Sequence, residues 1–224
     1  MRSVCQPASN WRRDKQLSIE TTFHGRYNLY MAENTPPPVE LDELLAAEYN
    51  YIAQTATQAN EDRARVSSFY LIAVGSLLAA LFGTQFFSTD SPGPTISIMF
   101  SGLFVLLTLL GISTIMQLAR LRSAWHESML AMNQLKDYMI SQNSELKQAF
   151  RWQTHTLPSK YKMNSVSYYQ AVEVALIGGL MFGAGVFFLQ QAFFMVAPLN
   201  WVIAIVVGSL MVLLQLQIYK RALK

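Results

Sequence analysis

The stretch FFSTDSPGPT (Phe86–Thr95) joins two runs that carry no charge, VSSFYLIAVGSLLAALFGTQFF (Val66–Phe87) and TISIMFSGLFVLLTLLGISTIMQLA (Thr95–Ala119). A helix needs about 20 mostly apolar residues to cross the hydrocarbon core of a bilayer, and each run is long enough. Between them stand one acid, Asp90, no Lys or Arg, and the helix-stopping Pro92, Gly93 and Pro94. The stretch therefore reads as a tight turn between two antiparallel membrane helices.

Two further runs have the same character. One extends over about residues 170–194 with a single acid near its start, Glu173, and the other over about residues 199–219. A helix of a soluble domain would alternate apolar and polar faces over such lengths, and none of the four runs does. Hydrophobic residues make up 52% of the 224-residue chain and charged ones 14%, which agrees. The expected fold is an all-α membrane protein: four transmembrane helices in two hairpins.

Lys and Arg in short loops stay on the cytoplasmic side of a membrane. Seven precede the first run, seven lie between the second and third and three follow the fourth, which accounts for all 17. The two connectors FFSTDSPGPT and QQAFFMVAPLN hold none. This distribution predicts a multi-pass protein of the inner (plasma) membrane with both termini cytoplasmic. Arg63, Arg65, Arg120, Arg122, Lys220 and Arg221 flank the runs and are expected to reach anionic lipid headgroups. The net charge of +3 is thereby assigned to the membrane surface, and no nucleic-acid partner is expected.

Residues 1–38 are polar, lack periodicity and close on the run TPPPVE, the composition of a disordered tail. Met31 opens a plausible chain of its own, MAENTPPPVELDELL, so residues 1–30 read as a dispensable extension. The lone thiol, Cys5, has no partner for an internal disulfide. Helix is expected from near Val39, with Glu40, Asp42 and Glu43 well placed against its dipole.

From there Leu41, Leu44, Leu45, Tyr49, Ile52, Ala56 and Ala59 recur at helical spacing, so the first run is expected to continue a helix that starts well outside the membrane. Leu118, Leu121, Trp125, Met129, Met132, Leu135 and Met139 do the same beyond the second run. Together they predict a cytoplasmic antiparallel stalk, with Leu45, Tyr49 and Ile52 facing Trp125, Met129 and Met132. This first unit occupies residues 39–140. Residues 141–164, with Trp152, Tyr161 and several basic residues around Pro158, read as a linker at headgroup level, and residues 165–224 as the second hairpin.

Small residues let membrane helices approach closely. Gly75, Ala79 and Gly83 form one such row at four-residue spacing, Ala175, Gly179 and Gly183 another. Packing within the chain is the default expectation for both. Glu173, an acid inside a span, is the candidate ion-interacting residue. The glutamines, Gln215 among them, read as residues of the membrane surface, and His126-Glu127 as a solvated helix face. His24, His126 and His155 are scattered, no metal-binding or phosphate-binding motif is present, and no catalytic constellation is visible. The expectation is a non-enzymatic protein without metal or cofactor.

The order AAEYNYIAQTATQANEDRARVSSFYLIAVGSLLAALFG, a short turn, then LGISTIMQLARLRSAWHESMLAMNQLKDYM resembles the plan of SLATT-type bacterial membrane effector modules over about residues 40–140. The resemblance implies a role in bacterial defence: a homo-oligomeric pore-forming or membrane-perturbing effector, gated through its cytoplasmic helices. The competing reading is a non-catalytic anchoring or accessory subunit that meets a cytoplasmic protein partner through the stalk.

Overall fold

The computed structural model describes residues 40–83, 93–193 and 198–224. The expected N-terminal tail, the Met31 start, most of the first charge-free connector and residues 194–197 of the second lie outside the described residues. Contacts divide the chain into Met1–Leu44 and Leu45–Lys224, and the packing described below belongs to the second unit.

Among the described residues the structure is all-helical. Helix α1 spans Leu41–Gly83, α2 Pro94–Gln142, α3 Leu146–Ala149, α4 Val166–Phe193 and α5 Pro198–Ala222, with one 3₁₀ turn at Thr154–Thr156. Four of these, α1, α2, α4 and α5, are long and apolar enough to cross a membrane. Helix α1 is continuous for 43 residues and α2 for 49, so both outrun the ~20 residues that a bilayer requires.

The ends of α2 follow from local chemistry. Pro94 sits at its first turn, where the missing N–H costs nothing, behind the extended Gly93. At the far end Asn143 leaves the helical region, its N–H still reaching the Met139 carbonyl at 3.0 Å. The Asn143 side-chain oxygen accepts from the Glu145 amide at 3.0 Å, a local turn that competes with continuing the helix.

Helix α4 lies against both α2 and α5. Its buried face, Ala171, Val174, Ala175 and Met181, meets Leu107, Ile115 and Leu118 of α2 and Tyr219 of α5 in one cluster, to which α1 contributes Tyr70 and Val74. Phe100 and Phe104 hold the Phe188 ring, with centroids 5.3 and 5.7 Å apart. Gly111 makes room for α1: a Cβ there would lie 2.8 Å from the Tyr70 hydroxyl oxygen.

The segment after α3, expected as a linker at headgroup level, packs on another part of the chain. It runs antiparallel along the extension of α2. Asn133 Nδ2 donates to the Gln153 carbonyl at 3.2 Å, His126 Nε2 contacts the Pro158 carbonyl at 3.1 Å, and Arg122 Nε donates to the Lys160 carbonyl at 3.2 Å. From Asn133 to Arg122 is roughly 16 Å of helix axis. The cause is bookkeeping of backbone groups: carbonyls with no helical or strand partner must find donors, and α2 supplies them. His126 is accordingly half-buried on the linker, and Glu127, though exposed, pairs with Lys160 at 3.4 Å. This corrects the reading of a solvated face for His126, while Glu127 keeps its solvent exposure.

Candidate functional site

Three places bring the residues singled out in the sequence into definite surroundings. The first is a junction where α1, α2, α4, α5 and the linker meet, at the end of the four helices that carries the basic residues. Ser167, in the first turn of α4, and Tyr219, in the last turns of α5, are both buried; their hydroxyls are 2.9 Å apart, and the Tyr219 hydroxyl also lies 3.3 Å from the Ser167 carbonyl. Arg63 and Arg122 stand close enough to Tyr219 to interact with it electrostatically, and Arg122 feels the charge of Arg63. Lys160 is held by Ser123 and Glu127, and Lys220 lies over the Tyr161 ring at 5.7 Å.

The six flanking basic residues expected at the headgroups differ in exposure. Arg65, Arg120, Lys220 and Arg221 are exposed, Arg63 is half-buried, and Arg122 is only 6% exposed. Arg122 is captured inside the chain because its Nε satisfies the Lys160 carbonyl while its guanidinium stacks 4.4 Å from the Trp125 ring centre. Arg65 turns to its own helix, 3.6 Å from both Glu61 and Asp62.

The second place is the crossing of α4 and α5. Gly179 and Gly183 are buried there, and a Cβ on Gly179 would meet a Val212 methyl group and the Gly208 carbonyl, the latter at 2.7 Å. A Cβ on Gly183 would lie 2.8 Å from the Ala204 carbonyl, and one on Gly208 2.8 Å from the Gly179 carbonyl. The helices therefore touch backbone to backbone. Ala175 is buried on the same helix. One turn away, Gln215 is fully buried and lies flat on Gly178; its amide sits in the packed interior, which corrects the reading of Gln215 as a surface residue. Thr108 of α2 reaches the Gly178 carbonyl as well, at 3.4 Å.

The third place is the outer surface. Gly75, Ala79 and Gly83 are exposed, and a Cβ on either glycine would meet no atom within 4 Å. The default of within-chain packing thus fails for this row, because α1 turns Tyr70 and Val74 inward instead. Glu173 is also exposed, six residues beyond the buried Ser167 on α4. On the extensions, Ile52 and Met132 are buried while Leu45, Tyr49, Trp125 and Met129 are half-buried. Lys136 of α2 lies 5.9 Å from the Tyr49 ring centre of α1.

Sequence reasoning missed Tyr70, Ser167, Gly178, Gly208 and Tyr219. Gly208 carried the best available signal, a small residue four positions after Ala204, the same spacing as the rows on the other helices. These features define a helical protein with four membrane-length helices, the make-up of a multi-pass membrane protein. Comparison with protein families, curated proteins and solved structures gives no match.

Proposed function

We propose that the protein is a homo-oligomeric integral membrane protein that permeabilises or perturbs the bilayer, gated through the cytoplasmic extensions of α1 and α2. The observation that carries this reading is the outward placement of Glu173. It lies about 9 Å along α4 from Ser167, past the basic junction and within the apolar stretch, yet it faces away from the rest of the chain. A carboxylate turned toward hydrocarbon is costly, and such residues ordinarily face a helix bundle or water. Neighbouring copies supply both: they cover the apolar surface and leave the acids along an aqueous path. The open row Gly75, Ala79 and Gly83 offers α1 of each copy a surface for close helix contact. A ring of carboxylates in such a path favours cations.

The test is reconstitution in liposomes. Conductance with a modest cation preference, reduced by Glu173→Gln while the oligomer persists, supports the proposal. Bilayers that stay silent with a stable, assembled protein would contradict it. The anchoring reading draws on a different observation, the exposed Tyr51 and Tyr138 on the two extensions, and gains if silence is accompanied by a protein partner that is lost on Tyr51→Ser.

A further inference from the structure

Charge does not balance at the junction. The guanidinium of Arg63 is partly withdrawn from water, and its Nε is buried with no hydrogen-bond partner among the described residues. Arg122 is deeper still and spends Nε on the Lys160 carbonyl, which leaves its four terminal N–H groups for other acceptors. The nearby carboxylates are committed elsewhere: Glu61 and Asp62 to Arg65, Glu127 to Lys160. Among the described residues no acid forms an ion pair with Arg63 or Arg122. Tyr49 beside Lys136 and Tyr70 on Gly111 fix the antiparallel register of α1 and α2, which brings Arg63 and Arg122 to one level, and two like charges so placed and partly desolvated are unfavourable unless an anion joins them.

The position says where that anion comes from. Arg63 lies three residues before the charge-free run of α1 begins at Val66, and Arg122 three residues after that of α2 ends at Ala119. Tyr161, which follows the Lys160 whose carbonyl Arg122 holds, packs edge to face on Tyr168, 6.0 Å between ring centres, and tyrosines concentrate at the headgroup level of membranes. A guanidinium fork matches the oxygens of a phosphate in bidentate fashion.

We propose that Arg63 and Arg122 form a binding site for a phosphate group, filled in the membrane by the headgroup phosphate of one phospholipid per chain. It differs from general attraction of basic residues to an anionic surface, because Arg122 is enclosed and the exposed Arg65 and Arg120 take no part. The site requires that the helices span a membrane and is independent of any pore.

The experiment uses the full chain, delipidated in a non-ionic maltoside, with bound molecules counted by intact mass measurement. The probes are phosphatidylglycerol, a diacyl glucolipid without phosphate, and inorganic phosphate. Phosphatidylglycerol is expected to bind at one per chain and the glucolipid not. Arg63→Gln is expected to weaken binding about tenfold, the worth of one charge-assisted hydrogen bond, while Arg65→Gln changes it by less than about twofold. Inorganic phosphate that binds as tightly as the lipid, in an Arg63-dependent way, would overturn the lipid source and keep the phosphate site. Equal binding of the glucolipid, or equal effects of the two substitutions, would overturn the site itself. A second readout does not depend on how the variants fold: phosphatidylglycerol should raise the unfolding temperature of the unaltered protein, and inorganic phosphate should do so only weakly. An unfolding temperature that neither probe moves would overturn the proposal outright.

Discussion

The crossing of α4 and α5 allows a substitution of the smallest possible size to be given a sign. Gly208→Ala adds one methyl group whose carbon would lie 2.8 Å from the Gly179 carbonyl oxygen and 3.4 Å from the Gly183 Cα. A comfortable carbon-to-oxygen separation is about 3.3–3.6 Å, so the helices must part by roughly 0.5 Å or more. The obstacle is backbone, which cannot swing aside as a side chain can. A gap of that size forfeits about a quarter of the contact energy of each atom pair across it, and insertions into packed cores cost about 1–3 kcal/mol. Alanine returns up to about 1 kcal/mol through its better helix propensity, so from the middle of that range, about 2 kcal/mol, a net loss of about 1–2 kcal/mol remains. Gly75→Ala adds the same methyl group where no atom lies within 4 Å. It keeps the propensity gain and loses nothing, so its effect should lie between zero and about 1 kcal/mol of stabilisation. Reversible unfolding in mixed micelles, at dilutions where the protein is monomeric, measures both. A neutral Gly208→Ala, or a Gly75→Ala that destabilises the monomer as much, would refute the assigned packing.

Trp125→Ala should cost about 2 kcal/mol, below the ~3–5 kcal/mol of a fully enclosed tryptophan, since its ring is half-buried beneath Arg122; chemical denaturation gives the value, and a loss of about 4 kcal/mol or more, the middle of that range, would mean the extensions enclose it. Tyr219→Phe removes the buried 2.9 Å contact with Ser167 and should destabilise by about 1 kcal/mol, whereas no change in the unfolding midpoint would mean the hydroxyl pair contributes nothing. Single cysteines at the exposed Gly93 and Arg151, in a chain carrying Cys5→Ala, should react with an impermeant thiol reagent from opposite sides of the membrane. Reaction of both from one side would rule out the proposed orientation.

The element pattern was legible because membrane helices announce themselves through length and missing charge, both of which a single sequence displays. The continuity of α1 was readable for the same kind of reason: the apolar spacing runs to Ala59 and the charge-free run opens at Val66, with no Gly or Pro between them. Which face of each helix turns inward was not readable. In a uniformly apolar helix every face looks alike, so Gly75, Ala79 and Gly83 looked as well suited to internal packing as Ala175, Gly179 and Gly183, yet the first row is open and Gly179 and Gly183 meet α5 backbone to backbone. The partner glycine, Gly208, stood with Ala204 four residues before it as a pair, shorter than either three-residue row. The burial of Arg122 was not legible because the position of a basic residue beside a span gives only its depth. Its capture by a carbonyl of the linker depends on how residues 151–165 lie along α2, a tertiary fact with no periodic signature. Gln215 was misjudged for a related reason: it falls near the end of α5 in sequence, where glutamine is ordinary, but α4 covers it.

The most direct test of a permeation path beside Glu173 is chemical. Glu173→Cys, in a chain whose single native thiol is removed by Cys5→Ala, is reconstituted in a planar bilayer and treated with thiosulfonates that attach either a negative or a positive group. The account predicts that the negative adduct restores cation preference and conductance, that the positive adduct lowers both, and that the same reagents at Tyr51→Cys change neither. Identical currents with either adduct, or no current before and after, would contradict it.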